Sequence, residues 1–476
     1  MQDAILVYCR QMQQAALIAR ILRYREYRCL PVRFDTSAEK ALSMHPKGLI
    51  IAGNGPDALD GLDFSPLNLD LPVLALDDTA ALLCAHFGGS AAEMEDARNF
   101  AQLQLERCPL FEEISSGERM MGSLRSLTLP DALSPIAFSG EHIIGFSHGA
   151  MPLYAMQYPI ERNDPDGAQM LANFASICGM QPDWTEESII DQAVESIRLA
   201  APEGRVLCAV SGGVDSAVCA KLTAMAVGDR LSCVFVDTGM FRKDEPEHVI
   251  NTFTDLMDLP VDRVDASESF LRALSGVDDP RGKERIAGQL MNQMLIKQLA
   301  VDPEIRTVVT GTNFNDLFFG GSAGAGYENV TVLEPVRDLF KENVRRLAAA
   351  LHLPDAIIER QPFPASGLAL RVFGSLTAER LQLLRAADAI FTDEIRQAGY
   401  DRRLWQYYAT LIDSPDLPGS HAVCLRATQS ASGGANAARM PFDLLERAAE
   451  RIRTELSGVT RIVYDLTPSA HYGELE

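Results

Sequence analysis

Through residues 1–180, short continuous apolar runs alternate with longer stretches in which apolar residues recur at helical spacing. Short apolar runs of this kind predict buried strands, and the stretches between them predict helices. Regular alternation of strands and helices is typical of a parallel sheet covered by helices on both faces. The predicted strands are 4–8, 48–53 and 71–76, and the clearest helix is 14–24.

The same alternation returns in residues 183–360, with strands at 206–210, 231–236 and 306–310 and a helix from Ser216. The pattern changes at the turn-rich residues 362–364, after which long helical stretches mix with a few strands, such as 461–465. We therefore predict an α/β fold in which two doubly wound parallel-sheet domains, 1–180 and 183–360, precede a smaller α+β domain at 361–476.

Composition and charge argue against a membrane, a secreted or a nucleic-acid-binding protein. The chain has 476 residues, and no apolar run approaches the length of a membrane span, so we expect no membrane partner. Residues 1–10 lack the pattern of a secretory signal, and the nine dispersed cysteines form no close CxxC pair, which predicts reduced thiols in a cytoplasmic protein. A formal net charge of −22 argues against a nucleic-acid partner.

One motif decides the chemistry. The sequence Ser-Gly-Gly-Val-Asp-Ser at 211–216 lies between a predicted buried strand and a predicted helix. Two glycines allow a tight turn, and the amides and the positive helix end can then hold phosphate oxygens. Asp215 would repel a bare phosphate, so its presence predicts a shared Mg²⁺ ion. The motif lacks the Walker lysine, and the alternative interpretation is an ordinary strand–helix turn.

This motif resembles the pyrophosphatase loop of the N-type ATP pyrophosphatases, which cleave ATP between the α- and β-phosphates. Further segments resemble GMP synthase, in the right order along almost the whole chain. They are residues 234–239, 270–276 with Asp279, Pro280 and Lys283, 333–341, 362–368 with Arg371 and Val372, 424–427 and 463–465.

The resemblance implies an ATP-dependent ligase that uses ATP and Mg²⁺ to adenylate a small-molecule acceptor, XMP in the family, which ammonia then aminates. It also implies a homodimer formed through residues 361–476. The implied ATP-binding residues are Ser211, Gly212, Gly213, Val214, Asp215, Ser216 and Asp237, with Asp215 and Ser216 catalytic. The implied acceptor-binding residues are Lys283, Arg371 and Glu474. Asp316 is a candidate second metal ligand beside Asp215, or else a solvated loop residue.

The first segment resembles a class I glutamine amidotransferase that has lost its catalytic pair. Such a domain needs a Cys nucleophile on a strand–helix elbow and a His that a Glu orients. The elbow has Asp77 where the Cys belongs, and the distal His-Pro-Glu motif reads Pro159-Ile160-Glu161. We therefore expect no glutaminase activity, so that ammonia is free or comes from a separate amidotransferase. A relocated pair of Cys84 and His86 is the alternative, and a buried structural Cys84 is the preferred interpretation.

The acceptor site also departs from the family pattern. Residues 321–332 lack the family's paired histidines, Glu284 stands where an arginine would meet the nucleotide phosphate, and the tail 468–476 lacks its lysine. A carboxylate facing a phosphate repels it. Two alternatives therefore stay open: adenylation of a different acceptor, such as a purine without the phosphate, and a regulatory relative that binds nucleotide without turnover.

Overall fold

The computed structural model describes residues 3–55, 67, 69–94, 100–120, 124–160, 164–314, 316, 327, 330–364, 366–414, 419–431 and 434–467. The chain divides into two compact units, Met1–Ile189 and Ile190–Glu476. None of the helices within the described ranges is long and apolar enough to cross a membrane. The nine cysteines are free thiols, and most of them are buried.

The first unit contains a mixed sheet built on buried apolar strands. Its elements are β1 (Ala4–Tyr8), α1 (Met12–Tyr24), β2 (Cys29–Val32), α2 (Ala38–Leu42), β3 (Pro46–Gly53), β4 (Val73–Asp77), α3 (Asp78–His86), β5 (Ser90–Glu93), β6 (Phe100–Leu105), β7 (Gly117–Met120), β8 (Arg125–Thr128), β9 (Leu133–Ser139), β10 (His142–His148), β11 (Leu153–Met156) and α4 (Pro165–Ile177).

Over the described residues, the strand order of this sheet is β2-β1-β3-β4-β11-β10-β9-β6-β7. The five strands from β2 to β11 are parallel, as the apolar runs predict. The other four strands continue the sheet in antiparallel pairs, which the sequence analysis did not predict. The physical reason is local, since β9 and β10 are joined by a two-residue turn at Gly140, and so short a turn can only connect antiparallel neighbours.

The second unit begins with a parallel sheet and ends with a mostly antiparallel one. Its elements are α5 (Glu186–Ala200), β12 (Arg205–Ala209), α6 (Val214–Val227), β13 (Leu231–Asp237), α7 (Glu245–Asn251), β14 (Val261–Asp265), α8 (Ser267–Leu274), α9 (Pro280–Val301), β15 (Ile305–Val309), β16 (Thr331–Leu333), α10 (Lys341–Ala350), α11 (Asp355–Ile358), α12 (Ala378–Gln397), β17 (Gln406–Asp413), β18 (His421–Ala431), β19 (Gly434–Ala437), α13 (Phe442–Glu455) and β20 (Val459–Tyr464).

In the described part of this unit, five parallel strands lie in the order β14-β13-β12-β15-β16. Helices follow its strands, as the predicted α/β class requires. The second sheet has the order β17-β18-β19, with β20 parallel to β18. The predicted fold class is therefore confirmed, with the antiparallel extension of the first sheet as the one departure.

One hydrophobic core joins the two sheets of the second unit. It includes Leu207 of β12 and Phe270 of α8 together with Leu368, Phe391 of α12 and Val423 of β18. Because the parallel sheet and the C-terminal section bury the same core, they form one compact unit. The predicted boundary between residues 360 and 361 falls inside this unit and stays a prediction.

Gly367 lies where the C-terminal section meets the turn after β13. Its φ angle is +61°, and a Cβ atom there would lie 2.3 Å from the carbonyl oxygen of Met240. The next residue, Leu368, donates a hydrogen bond from its amide to that same oxygen at 2.7 Å. Only glycine combines this backbone conformation with so close an approach.

We expect Gly367→Ala to lower the free energy of unfolding by about 3 kcal/mol or more, because it adds a backbone clash to the strain of a positive φ. The matched control is Gly399→Ala, which has a φ of +69° and open space around the added carbon. It should cost only about 1 kcal/mol. Urea unfolding of both variants measures the difference, and equal losses would contradict the clash.

Candidate active site

The motif at 211–216 forms the corner between β12 and α6, at the carboxyl end of the parallel sheet. Gly213 is the N-cap of α6, so the helix begins inside the motif. The Ser216 hydroxyl ties the corner together, since it accepts from the Ser211 amide at 3.1 Å and donates to the Gly213 carbonyl at 3.0 Å. The corner is therefore a tight strand–helix turn held by its own hydrogen bonds, and its predicted role in binding phosphate stays a prediction.

Gly212 gives the loop its tight turn. Its φ angle is +77°, and a Cβ atom there would lie 2.3 Å from Nη1 of Arg360 and 2.4 Å from Cγ2 of Val249. Arg360 also donates from Nη1 to the Ser211 carbonyl at 3.3 Å. The loop thus packs closely against side chains from two later segments, and residue 212 has room only for hydrogen.

Asp215 pairs with a lysine that the sequence analysis did not assign to the site. Nζ of Lys341, the first residue of α10, lies 2.5 Å from Oδ2 of Asp215, and both side chains are 16% exposed. The other oxygen, Oδ1, is buried and has no hydrogen-bond partner among the described residues. A lysine in a first helical turn opposes the helix dipole, which is the sequence signal that could have revealed it.

The orphaned Oδ1 of Asp215 fits a metal ion or a metal-bound water, because a buried carboxylate oxygen needs a positive or donating partner. Within the described ranges, no group of three or more His, Cys, Asp or Glu side chains could hold a metal. Mg²⁺ commonly keeps several waters and substrate phosphates as ligands, so one carboxylate is a sufficient protein contribution.

Two other predicted site residues lie at the same edge of the sheet. Asp237 ends β13 and is buried; its Oδ1 accepts from the Gly239 amide at 2.9 Å, and its Oδ2 pairs with Arg263. Asp316 accepts from the Asn313 amide at 2.9 Å. These bonds fix both carboxylates locally, and their predicted roles toward adenosine and metal stay predictions.

The predicted acceptor-binding residues occupy unexpected positions. Lys283 is 1% exposed, and its ammonium donates to the carbonyls of Ala369, Val372 and Gly374 at 3.2, 2.6 and 2.9 Å. An ammonium has three donors, and all three are used here. This geometry gives no support to acceptor binding by Lys283 and instead makes it a brace for the segment after Gly367.

Arg371 is fully buried between aromatic rings. Its guanidinium carbon lies 5.0 Å from the ring centre of Phe363 and 4.2 Å from that of Tyr408, and Nη1 lies 3.6 Å from Oδ1 of Asp388. Burial lowers the pKa of Arg371 to about 10. A side chain enclosed in this way cannot touch an acceptor, so this geometry also fails to support the prediction. Glu474 lies outside the described residues.

The first unit contains a second strand–helix corner, where β4 meets α3. Asp77 occupies it with φ of +57° and ψ of −137°, a backbone region that is strained for any residue with a side chain. Such strain is typical of an elbow that presents a nucleophile. Here the presented group is a buried carboxyl that accepts a hydrogen bond from the Gln14 amide group, and burial raises its pKa to about 7.

The neighbouring residues fill this corner. The Gly55 amide, two residues after β3, donates to Oδ2 of Asp78 at 2.7 Å. An amidotransferase would need free amides beside the elbow to stabilise an oxyanion. The buried hydroxyl of Thr79 lies 2.6 Å from the Leu76 carbonyl and 2.8 Å from that of Ile51. The corner therefore satisfies its own polar groups.

Within the described part of the chain, the other candidate amidotransferase residues are either not titratable or held in other contacts. Pro159 follows β11 and has no titratable group, and Glu161 lies outside the described residues. Cys84 is buried in α3 with its thiol 3.6 Å from the Thr128 carbonyl, and burial raises its pKa. His148 accepts through Nδ1 from the amides of Ala150 and Met151, each at 3.1 Å, so it stabilises a turn.

Two family models match the second unit. The NAD synthase model matches residues 187–371, and the model of the GMP synthase C-terminal domain matches residues 393–471. A solved structure of an NH3-dependent NAD synthetase from Campylobacter jejuni is 19% identical, covering 37% of this chain and 77% of that chain, with a TM-score of 0.32.

Curated relatives match nearly the whole chain. A GMP synthase [glutamine-hydrolyzing] of Carboxydothermus hydrogenoformans is 35% identical, over 96% of this chain and 96% of its own length. That of Brucella suis is 36% identical, over 98% of this chain and 97% of its own length. The chain belongs to the GMP synthase family.

Membership of the GMP synthase family defines the reaction class. The chain is an ATP-dependent ligase that forms a C–N bond and releases AMP and pyrophosphate. The glycine-rich corner at 211–216 lies at the carboxyl edge of the second unit's parallel sheet, which is the edge at which ligands of open α/β sheets bind. Lys341 and Arg360 are the residues near the loop that sequence reasoning missed.

We expect Asp77→Asn to stabilise the protein increasingly as pH rises. The unfolded carboxyl has a pKa near 3.9 and the folded one about 7, so between these values the folded state keeps a proton that the unfolded state has released. The free energy of unfolding therefore falls as pH rises. The isosteric amide removes this loss, and its advantage over the wild type should grow by about 3 kcal/mol between pH 5 and 8.

The control is Asp70→Asn, because Asp70 has a φ of +58° but an exposed side chain. It makes the same substitution at a position that faces solvent, and so isolates the contribution of burial at Asp77. Urea unfolding of both variants at the two pH values measures this, and a constant advantage for Asp77→Asn would show that its carboxyl is ionised throughout.

Proposed function

We propose that this chain uses MgATP to adenylate an oxygen of a purine-like acceptor, XMP in the family, and that ammonia then displaces AMP. The protein would have no glutaminase activity of its own. Dimerisation through residues 361–476 belongs to the same proposal, since the resemblance to GMP synthase implies it. The proposal is a specific form of the family's ATP-dependent C–N ligation.

The observation that carries the proposal is the pairing of Asp215 with Lys341 at the phosphate loop. The amides of the loop and the N-terminal end of α6 would bind the pyrophosphate oxygens. Lys341 can shift from Asp215 to those oxygens and neutralise the charge that develops when pyrophosphate leaves. Asp215, through its orphaned Oδ1, would hold Mg²⁺, which when bound offsets phosphate charge as a Lewis acid.

The loss of glutaminase activity is supported by three features of the β4–α3 corner. The elbow presents the carboxyl of Asp77 in place of a thiol, and Pro159 cannot act as a base. The Gly55 amide, which could have stabilised an oxyanion, already donates to Asp78. Ammonia must then reach the adenylated acceptor from solution or from a separate amidotransferase.

A second acceptor class is favoured by the surroundings of Lys283. The ammonium that would have met a nucleotide phosphate is occupied by three carbonyls, and the adjacent Glu284 is a partly buried carboxyl whose pKa burial raises. A purine nucleoside without the phosphate would avoid the negative charge of Glu284. Comparing pyrophosphate release with XMP and with xanthosine distinguishes the two acceptors.

With ATP, Mg²⁺, ammonium and the acceptor, we expect pyrophosphate release that falls by about 10²-fold in Lys341→Met, because one charge-stabilising donor is removed. Asp215→Asn should fall by a similar factor, because it loses the metal ligand and the partner of Lys341. Lys297→Met, which changes an exposed lysine on α9, should keep the wild-type rate. An unchanged rate in both loop variants would overturn the assigned roles.

With glutamine in place of ammonium, we expect no glutamate release from the wild-type protein. Asp77→Cys should not restore it, because the thiol would still lack an imidazole base and the Gly55 amide would still be engaged by Asp78. An enzyme-coupled glutamate assay measures both. Its control is ammonium-supported pyrophosphate release by the same preparations, and glutamate formed by the wild type would refute the loss of glutaminase activity.

A further inference from the structure

A series of four charged residues, linked through both side-chain and main-chain groups, leads away from the phosphate loop. Arg360 lies next to the loop, donating from Nη1 to the Ser211 carbonyl at 3.3 Å while Nη2 pairs with Glu245 of α7. The two side chains are 18% and 12% exposed. Because the guanidinium is a rigid fork, the position of Glu245 fixes the direction from which Arg360 holds the loop.

Glu245 is in turn held by Arg242. Its second oxygen, Oε2, accepts a hydrogen bond from the Arg242 amide at 2.8 Å. Burial would raise the pKa of Glu245, but the charges of Arg360 and Arg242 outweigh it and lower the pKa below its usual range. Glu245 therefore remains charged at neutral pH, and both arginines depend on it.

The side chain of Arg242 reaches the C-terminal section. Its Nε lies 3.1 Å from Oδ2 of Asp388 on α12, and its Nη2 donates to the Tyr407 carbonyl at 3.1 Å. Asp388 is 1% exposed, and its Oδ1 accepts from the Ala409 amide at 2.9 Å. The member of this series that is furthest from the loop, Asp388, is therefore buried between α12 and β17.

A second arginine strengthens this anchor. Arg385, one helical turn before Asp388 on α12, donates to the carbonyls of Gly239 at 2.5 Å and Phe241 at 2.9 Å. Side chains three residues apart lie on one face of a helix. Helix α12 therefore holds both sides of the turn that leads from β13 to Arg242.

We propose that Arg360, Glu245, Arg242 and Asp388 are positioning residues that hold the phosphate loop in its ATP-binding form from the C-terminal section. This inference rests on the proposed function, which assigns the loop to ATP. Its distinctive consequence is that Asp388, separated from the loop by three other side chains, controls ATP affinity. A role in packing alone would lower stability and leave the affinity of the folded protein unchanged.

The test measures the Kd of MgATP by calorimetry, without acceptor, in Glu245→Gln, Asp388→Asn and the double variant. Each single change removes a charge without changing shape, and each should raise the Kd by about tenfold. Because the two residues act through the same series of contacts, their effects should not add. The double variant should bind MgATP about as tightly as the single variant with the higher Kd. The KM for ammonia should not change.

The matched control is Glu268→Gln, which removes the carboxylate of an exposed ion pair with Arg272 on α8 and should keep the wild-type Kd. If Asp388→Asn does not fold, Arg242→Lys replaces it, since lysine keeps the charge but cannot reach Asp388 and the Tyr407 carbonyl together. It should give the same rise in Kd.

Two outcomes would overturn the inference. One is a wild-type Kd in Glu245→Gln and in the folded variant at Asp388 or Arg242, with only the unfolding temperature lowered. The other is a double variant whose loss equals the product of the two single losses, since independent sites behave in that way. A wild-type protein that fails to bind MgATP would instead refute the proposed function, so the two failures are distinguishable.

Discussion

The ion pair between Asp215 and Lys341 joins the N-terminal turns of α6 and α10 at the edge of the parallel sheet. Two helix N-termini and a lysine bring positive potential to one place, and a single carboxylate balances it before a ligand arrives. The chain as a whole carries a net charge of −22, so under the proposed function this local arrangement has to attract the triphosphate against an unfavourable long-range field. The tight turn at Gly212 and its contacts with Arg360 and Val249 hold this corner in its conformation.

The two strand–helix corners of the chain show how similar backbone geometry can have opposite chemical outcomes. At the β12–α6 corner, Ser216 secures the loop, and Oδ1 of Asp215 is left for a ligand. At the β4–α3 corner, the strained backbone of Asp77 is present, but Asp78 accepts the Gly55 amide that an oxyanion would need. A corner that leaves a polar atom without a protein partner can bind a substrate there. A corner whose polar groups bind one another instead stabilises the fold.

Burial decides the roles of charged residues in the second unit. Lys283 and Arg371 resemble family positions near the acceptor, yet one braces three carbonyls and the other lies between aromatic rings. Arg242 and Arg385 connect the turn after β13 to α12. Removing the charge of one member of a buried pair leaves the other member uncompensated. We therefore expect a change at these residues of the C-terminal section to disturb the conformation of the phosphate loop.

The sequence by itself determined the fold class and the parallel strands, because apolar runs are local signals, and it predicted that the glycine-rich corner at 211–216 binds phosphate. It also showed that residue 77, at the other strand–helix corner, is an aspartate. Tertiary structure alone decided that Lys341 meets Asp215, 126 residues away, and that Arg360 packs against Gly212. It also decided that Lys283 is enclosed, since the solvent exposure and partners of a charged side chain depend on segments distant in sequence, which no local pattern encodes.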